Sequence, residues 1–321
     1  MIVDLNEEDF SYDTIIEASK ALAKQYNSII KYVTIGASLD NRDIVLLKLG
    51  VGQKHIVCCG GVHGRETINP VVLLRIIESY AECYVNYREQ RYHLMKKLKR
   101  PNLYLKEEYV QMLYGSCINE LLQTFTILIV PLLNPDGYMI SLKGFDIIRN
   151  PDMKEQCIAM NQPYQEWKFN GRGVDINRNF PCRLWRPKFD SDYPASENET
   201  KALIKLFHDY RTKGFLDFHS RGKQIYYYRS QMPESYNRKQ LEIAVRFQEI
   251  TDYVLVEPKE EIDAGDSGGN TVHYYSEVFR KPALTIETVP EEATFPLSKE
   301  YRRATFEELE HLIFEFGSMI I

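Results

Sequence analysis

The chain has no run of 18 apolar residues, which excludes a membrane-spanning helix. It has no CxxC pair among its six cysteines, and Cys58 and Cys59 fall on an apolar run, where free thiols behave as small hydrophobes. A reducing cytoplasm is the expected setting. Nor is there a surplus of positive charge: 40 Lys and Arg stand against 45 Asp and Glu, a net charge of -5. Nucleic acid and anionic membrane are therefore not expected as main partners. The densest basic run, HLMKKLKRP at 93–101, is broken by apolar residues and reads as a solvated helix face. The acidic N-terminus lacks the charged-then-apolar order of a signal peptide. Repeats, low-complexity tracts and Pro/Ser linkers are missing too, so one domain is expected over residues 1–321, with about 1–30 as a helical lead-in.

What the chain does have is enough apolar content to bury a core, 44% hydrophobic against 26% charged. Short β-rich runs recur at 43–49, 55–59, 124–130, 215–218, 224–228 and 282–286. Helical patterns alternate with them. Asn69 followed by Pro70 predicts an N-cap and a first helical residue, ahead of a helix to about Glu82. Ser196 with Glu199 predicts a capping box, and a last amphipathic helix is expected from about Ser298 to Phe316. Strands alternating with helices predict an α/β fold with a parallel or mixed sheet covered on both faces. Residues 133–190 show little periodicity and are dense in Asn, Pro, Gly and Arg, so long functional loops are expected there.

Four polar clusters follow the C-terminal ends of apolar runs: VHGRE after HIVCC, NPDGY after ILIVPLL, HSRG after FLDF, and Glu287 after ALTI. In open α/β sheets ligands bind in the crevice beyond those ends. His63 and Glu66, three apart among glycines, are either two solvated polar residues in a turn or half of a metal site. A catalytic zinc takes three protein ligands and keeps one open position, and two histidines with one glutamate is a known set. Of the seven histidines, His208, His93 and His311 fall on polar helices, His273 on an apparent helix, and His55 at the wrong end of a strand. His219 remains, at a strand's C-terminal end with Asp217 on the same strand face.

With HGRE (63–66), NPDGY (134–138), GVDINRNFP (173–181), SENET (196–200), DFHS (217–220) and TIET (285–288) in this order, the chain resembles the M14 zinc carboxypeptidase family over most of its length. Longer phrases, among them WKFNGRGVDINRNFP and DAGDSGGNTVHYY, resemble its bacterial γ-D-glutamyl–diamino acid peptidase branch. The resemblance implies a single-domain α/β/α sandwich around a mixed sheet of about eight strands. It implies one zinc ion held by His63, Glu66 and His219, with Asp175 orienting the first histidine. Glu287 corresponds to the general base acting on the nucleophilic water, and Arg149 to the cation that stabilises the oxyanion. Asn177 and Arg178 correspond to the pair that holds a substrate carboxylate, a task suited to arginine's planar fork. Arg65 corresponds to a residue lining the same cleft, and Arg221 with Lys223 adds positive charge beside it.

The implied substrate is a small peptide with a free carboxylate, cut at the γ-D-glutamyl bond to diaminopimelate or lysine in cell-wall peptides. One departure is plain. Digestive members carry a mobile tyrosine about twenty residues before the base, and residues 257–269 contain none; Tyr253 precedes them, and Tyr274 and Tyr275 follow. Glycines of GDSGGNTV are expected either to leave room for a branched diamino acid or to form an ordinary turn. A broader metallocarboxypeptidase, an N-acyl amino acid amidohydrolase and a non-catalytic zinc-containing peptide-binding protein stay open as alternatives.

Overall fold

The computed structural model describes residues 1–97, 106–261 and 268–321. Residues 98–101 of the basic run at 93–101 and residues 262–267 of the tyrosine-free loop lie outside what is described, as do the side chains of 89–112. Eight strands form one mixed sheet: β1 (Ile30–Ala37), β2 (Asp43–Leu49), β3 (Lys54–Gly60), β4 (Phe125–Val130), β5 (Thr212–Ser220), β6 (Gln224–Tyr226), β7 (Val254–Leu255) and β8 (Ala283–Thr288), in the order β1-β2-β4-β3-β5-β8-β6-β7. The central block β4-β3-β5-β8 is parallel, while β1, β2 and β6 run antiparallel to their neighbours toward the block.

Alternation along the strands divides the core into two layers. Ile56, Cys58, Leu216, Phe218, Leu284 and Ile286 point one way. They pack with α1 (Tyr12–Gln25), α2 (Ile68–Lys97), α3 (Lys106–Thr124), α7 (Glu234–Thr251), α9 (Tyr301–Leu309) and α10 (Leu312–Met319). Val57, Cys59, Phe215 and Ala283 point the other way, against α6 (Asn198–Asp209) and α8 (Thr271–Phe279). That second face continues through Asp217 and His219 on β5 and through Glu287 on β8, because side chains two apart share a face. The sheet therefore carries its polar residues out of the α8-side core at the C-terminal ends of the parallel strands.

Residues 133–190 are ordered and hold more regular structure than their sequence promises. Two short helices, α4 (Pro135–Lys143) and α5 (Pro151–Ala159), each begin with an Asn N-cap and a Pro in the first turn. Their small core of Ile140, Ile148, Met153, Cys157 and Trp167 seats the segment on the domain.

Three expected helices differ in their bounds. The helix after HGRE runs from Ile68 to Lys97 rather than ending at about Glu82, and Asn69 sits inside it rather than capping it. Ser196 makes no cap to α6: its hydroxyl donates to Glu197, while Glu199 is buried near Asn170. The last helix is two, α9 and α10, broken around Glu310 and His311.

Candidate metal centre

The loop from β3 into α2 carries His63 and Glu66, and its glycine has a steric cause. A Cβ on Gly64 would stand 2.3 Å from the backbone of Gly137, so the glycines of HGRE and NPDGY let two backbones touch. Ser141 and the Lys168 carbonyl hold the same turn, the hydroxyl donating to Gly64 O at 2.9 Å and the carbonyl accepting from Gly64 N at 3.1 Å. Across the sheet, β5 presents His219 and β8 presents Glu287 at paired register positions. Asn69 fixes both ends. Its amide donates to His219 O at 2.7 Å and to Ser220 Oγ at 3.2 Å, and its carbonyl accepts from Thr288 at 2.9 Å.

His63, Glu66 and His219 converge, with one ligand atom from each lying within 4.8 Å of the others. Glu66 Oε1 is 2.6 Å from His63 Nδ1, and Glu66 Oε2 is 3.2 Å from His219 Nδ1. The two Nδ1 atoms stand 3.3 Å apart, close to the edge of a tetrahedron about 2 Å in radius, as four-coordinate zinc requires. Both imidazoles thus offer Nδ1 to one point and turn Nε2 toward a carboxylate. His63 Nε2 is hydrogen-bonded to Asp175 Oδ1 at 3.3 Å. His219 Nε2 lies 3.0 Å from Asp217 Oδ2, off the direction of the ring N–H, and Thr271 donates to that same oxygen.

The charges are mutually sustaining. Burial disfavours ionised Glu66, but His63 and His219 outweigh it and hold the carboxyl at about 2. Burial likewise opposes charge on His63 and His219, and the neighbouring carboxylates reverse it, raising both imidazoles. Asp175 is held well below the usual carboxylate range against its burial by His63, Lys168 and Arg178; Lys168 Nζ is 2.7 Å from its Oδ2. Glu287 is different: burial and the nearby Glu66 carboxylate push it up to about 8, against the pull of His219 and His63.

The other expected residues are placed unevenly. Asn177 lies two residues past Asp175, and its side-chain oxygen accepts from Thr271 N at 3.1 Å. Arg178 donates to Asn177 O at 2.9 Å beside Gly269, whose φ of +84° and tight approach to the Arg178 backbone require glycine. A cavity of ≈ 440 Å³ opens next to Asp175 and Arg178, walled also by Arg172, Trp185, Arg186 and Tyr193. Arg149 is exposed, and its guanidinium donates at 3.4 Å to Asp40 O rather than turning onto the ligand cluster. Lys223 does not add charge to the cleft, because it pairs with Glu308 at 2.5 Å. Tyr253, Tyr274 and Tyr275 are all buried, so none takes the place of the mobile tyrosine.

A family model described as zinc carboxypeptidase matches residues 15–309. The chain belongs to the zinc carboxypeptidase family. In that family His63, Glu66 and His219 are the ligand set for one zinc ion, and the set is intact here. Among curated relatives, a γ-D-glutamyl-L-diamino acid endopeptidase 1 of Lysinibacillus sphaericus is 22% identical over 91% of this chain and 69% of its own length. Carboxypeptidase A2 of Mus musculus is 23% identical over 70% of this chain and 48% of its own. The chain thus spans about half to two thirds of the length of these two. The crystal structure of thrombin-activatable fibrinolysis inhibitor shares the fold, with a TM-score of 0.73 at 18% identity over 97% of this chain and 74% of that one.

Two residues that hold the centre were not singled out for it in the sequence. Asp217 was placed only on the histidine's strand face, and its i, i+2 spacing from His219 is the signal that could have found it. Asn69 looked like a helix cap, and nothing local announces that it bridges two strands.

Proposed function

We propose that this zinc peptidase hydrolyses the γ-D-glutamyl amide of a diamino acid, diaminopimelate or lysine, in cell-wall peptides. The observation that carries the hydrolytic part is Glu287, set beside His219 in register and kept part-open to the cleft while burial raises its carboxyl. Zinc bound by His63, Glu66 and His219 would supply Lewis-acid polarisation of a water and of the scissile carbonyl. Glu287 takes a proton from the attacking water and returns it to the leaving nitrogen. Asp175 and Asp217 keep the two imidazoles turned with Nδ1 inward. Asn177 and Arg178 hold the carboxylate of the leaving amino acid, and Arg149 swings from Asp40 to the oxyanion as substrate binds. The substrate half of the reading rests on likeness to the Lysinibacillus endopeptidase and on the absence of the digestive enzymes' tyrosine.

Incubation of the zinc-loaded protein with a γ-D-glutamyl–diaminopimelate peptide tests it, alongside N-acylated L-peptides with free C-termini. Faster release of the diamino acid is expected. Preference for the simple L-peptides would instead establish a broader carboxypeptidase.

A further inference from the structure

Three arginines near the metal centre fall into two groups. Arg178 belongs with Asp175, Asn177 and Thr271. Arg65 and Arg221 belong with Phe295, whose ring centre lies 4.3 Å from the Arg65 guanidinium carbon and 5.6 Å from that of Arg221. One ring therefore aligns both cations, which stand no more than about 10 Å apart. Neither is neutralised in a way that satisfies it. Arg65 has no acidic partner among the described residues, and its Nε is buried without a hydrogen-bond acceptor. Among the described residues Arg221 has one acid near it, Glu291 at 3.9 Å, and that side chain is 73% exposed.

A guanidinium drawn partly out of water without an anion is unfavourable, and stacking on an aromatic face recovers only part of that. Stacking also leaves the in-plane N–H edges free to engage a carboxylate. The pair adjoins the metal centre through the chain itself, since Arg65 precedes Glu66 and Arg221 lies two residues past His219.

We propose that Arg65 and Arg221, aligned by Phe295, form an anion subsite for a carboxylate on the acyl half of the substrate. The side assignment rests on the proposed function, in which Asn177 and Arg178 hold the leaving half. It also deepens that function, because a glutamyl residue linked through its γ-carbonyl carries a free α-carboxylate on the acyl side. The subsite accounts for selection of a γ-linked glutamyl group, which the metal centre alone does not read.

The test compares a γ-D-glutamyl–diaminopimelate peptide with its γ-D-isoglutaminyl counterpart, in which that one carboxylate is an amide. Wild-type kcat/KM is expected to fall roughly 10- to 100-fold on amidation, the range for losing charge-assisted hydrogen bonds. In Arg65→Ala and Arg221→Ala the ratio falls toward one, Arg221→Lys restores part of it, and Phe295→Leu lowers it. Calorimetric binding of both peptides to the Glu287→Gln variant reports the same ratio without turnover. Equal handling of the two peptides by the wild type, or an unchanged ratio in Arg65→Ala, overturns the subsite. If neither wall peptide is cleaved while simple L-peptides are, the proposed substrate has failed. Acyl-side Glu against Gln in those L-peptides then decides the subsite: a Glu preference lost in Arg65→Ala supports it, and no preference overturns it.

Discussion

Two aspartates face the two imidazoles of the metal centre, and they reach them from different kinds of structure. Asp217 and His219 ride the same face of β5, fully buried, with side chains that leave the strand nearly parallel. The imidazole can approach its neighbour only from the side, which gives a close 3.0 Å contact off the N–H axis. Asp175 comes from the long segment between β4 and α6, more than a hundred residues from His63, and makes a longer but aligned hydrogen bond of 3.3 Å. The strand fixes where its residues lie but not their mutual angle. The loop is free to choose the angle, and must be anchored to keep it.

The strand edge is expected to carry the largest effect. Glu287→Gln removes the proposed proton carrier and keeps the shape, so kcat should fall by about 10³-fold while zinc content stays at one ion per chain. Retained turnover at full zinc occupancy would show that the β8 carboxylate is not the base.

The loop's anchor is the next test. Asn170 organises residues 167–174: its side-chain oxygen accepts from Arg172 N and Val174 N, each at 3.0 Å, and its amide donates to Glu197 at 2.7 Å and Glu199 at 3.5 Å. Glu199 is fully buried with one oxygen unpartnered, and burial, aided by Asp136 and Glu197, pushes it up to about 8. The folded chain therefore keeps a proton that the unfolded chain releases above about 4.5. Stability then falls as pH rises from about 4.5 to about 8, by something on the order of 5 kcal/mol, and is level above that. Glu199→Gln mimics the protonated acid, so denaturant titrations should find it near wild type at pH 5 and more stable at pH 8.5. Parallel pH profiles for the two proteins would show that Glu199 is ionised in the fold.

The two aspartates can also be set directly against each other. Asp175→Asn disturbs the aligned bond and should weaken zinc binding roughly 10- to 100-fold, with little change in Tm. Asp217→Asn disturbs a fully buried group that Thr271 also engages, so Tm should drop more than zinc affinity does. Chelator competition and thermal melts give both rankings, and the same order in both measurements removes the distinction.

The same contrast explains what could be read in advance. β2, β3, β4, β5 and β8 are buried runs with strong apolar pattern, so their C-terminal ends, and His63, Glu66, His219 and Glu287 with them, were legible. β1 is an edge strand whose IKYVTIGA is largely open to solvent, and β7 is two residues long; neither leaves enough pattern to find. The loop residues Asp175, Asn177, Arg178 and Arg149 came from family resemblance, because no period links a loop to the strand it serves. Asn69 and Ser196 misled for one reason. Residues that cap helices well are also those that bond elsewhere, and here other partners claimed them: β5 and β8 hold Asn69, and Ser196 accepts from Asn179 at 2.8 Å while donating to Glu197.

Arg149 carries the contrast to its smallest expected effect. Its loop is tied to the β1–β2 turn by Arg149 N donating to Asp40 Oδ1 at 2.9 Å, while Arg42 bridges Asp40 and Asp136 of NPDGY at 2.7 Å each. Arg42 keeps Asp136 when Asp40 is removed, so Asp40→Ala should leave the fold intact and loosen only the base of the arginine loop. The loss of one such hydrogen bond is worth about 1 kcal/mol, or roughly fivefold in kcat. If Asp40 acts through Arg149, the effect vanishes in an Arg149→Ala background, where the side chain it steadies is already gone. A full additional fivefold loss in the double variant would mean that Asp40 supports the site by another route, and that this loop does not deliver the oxyanion cation.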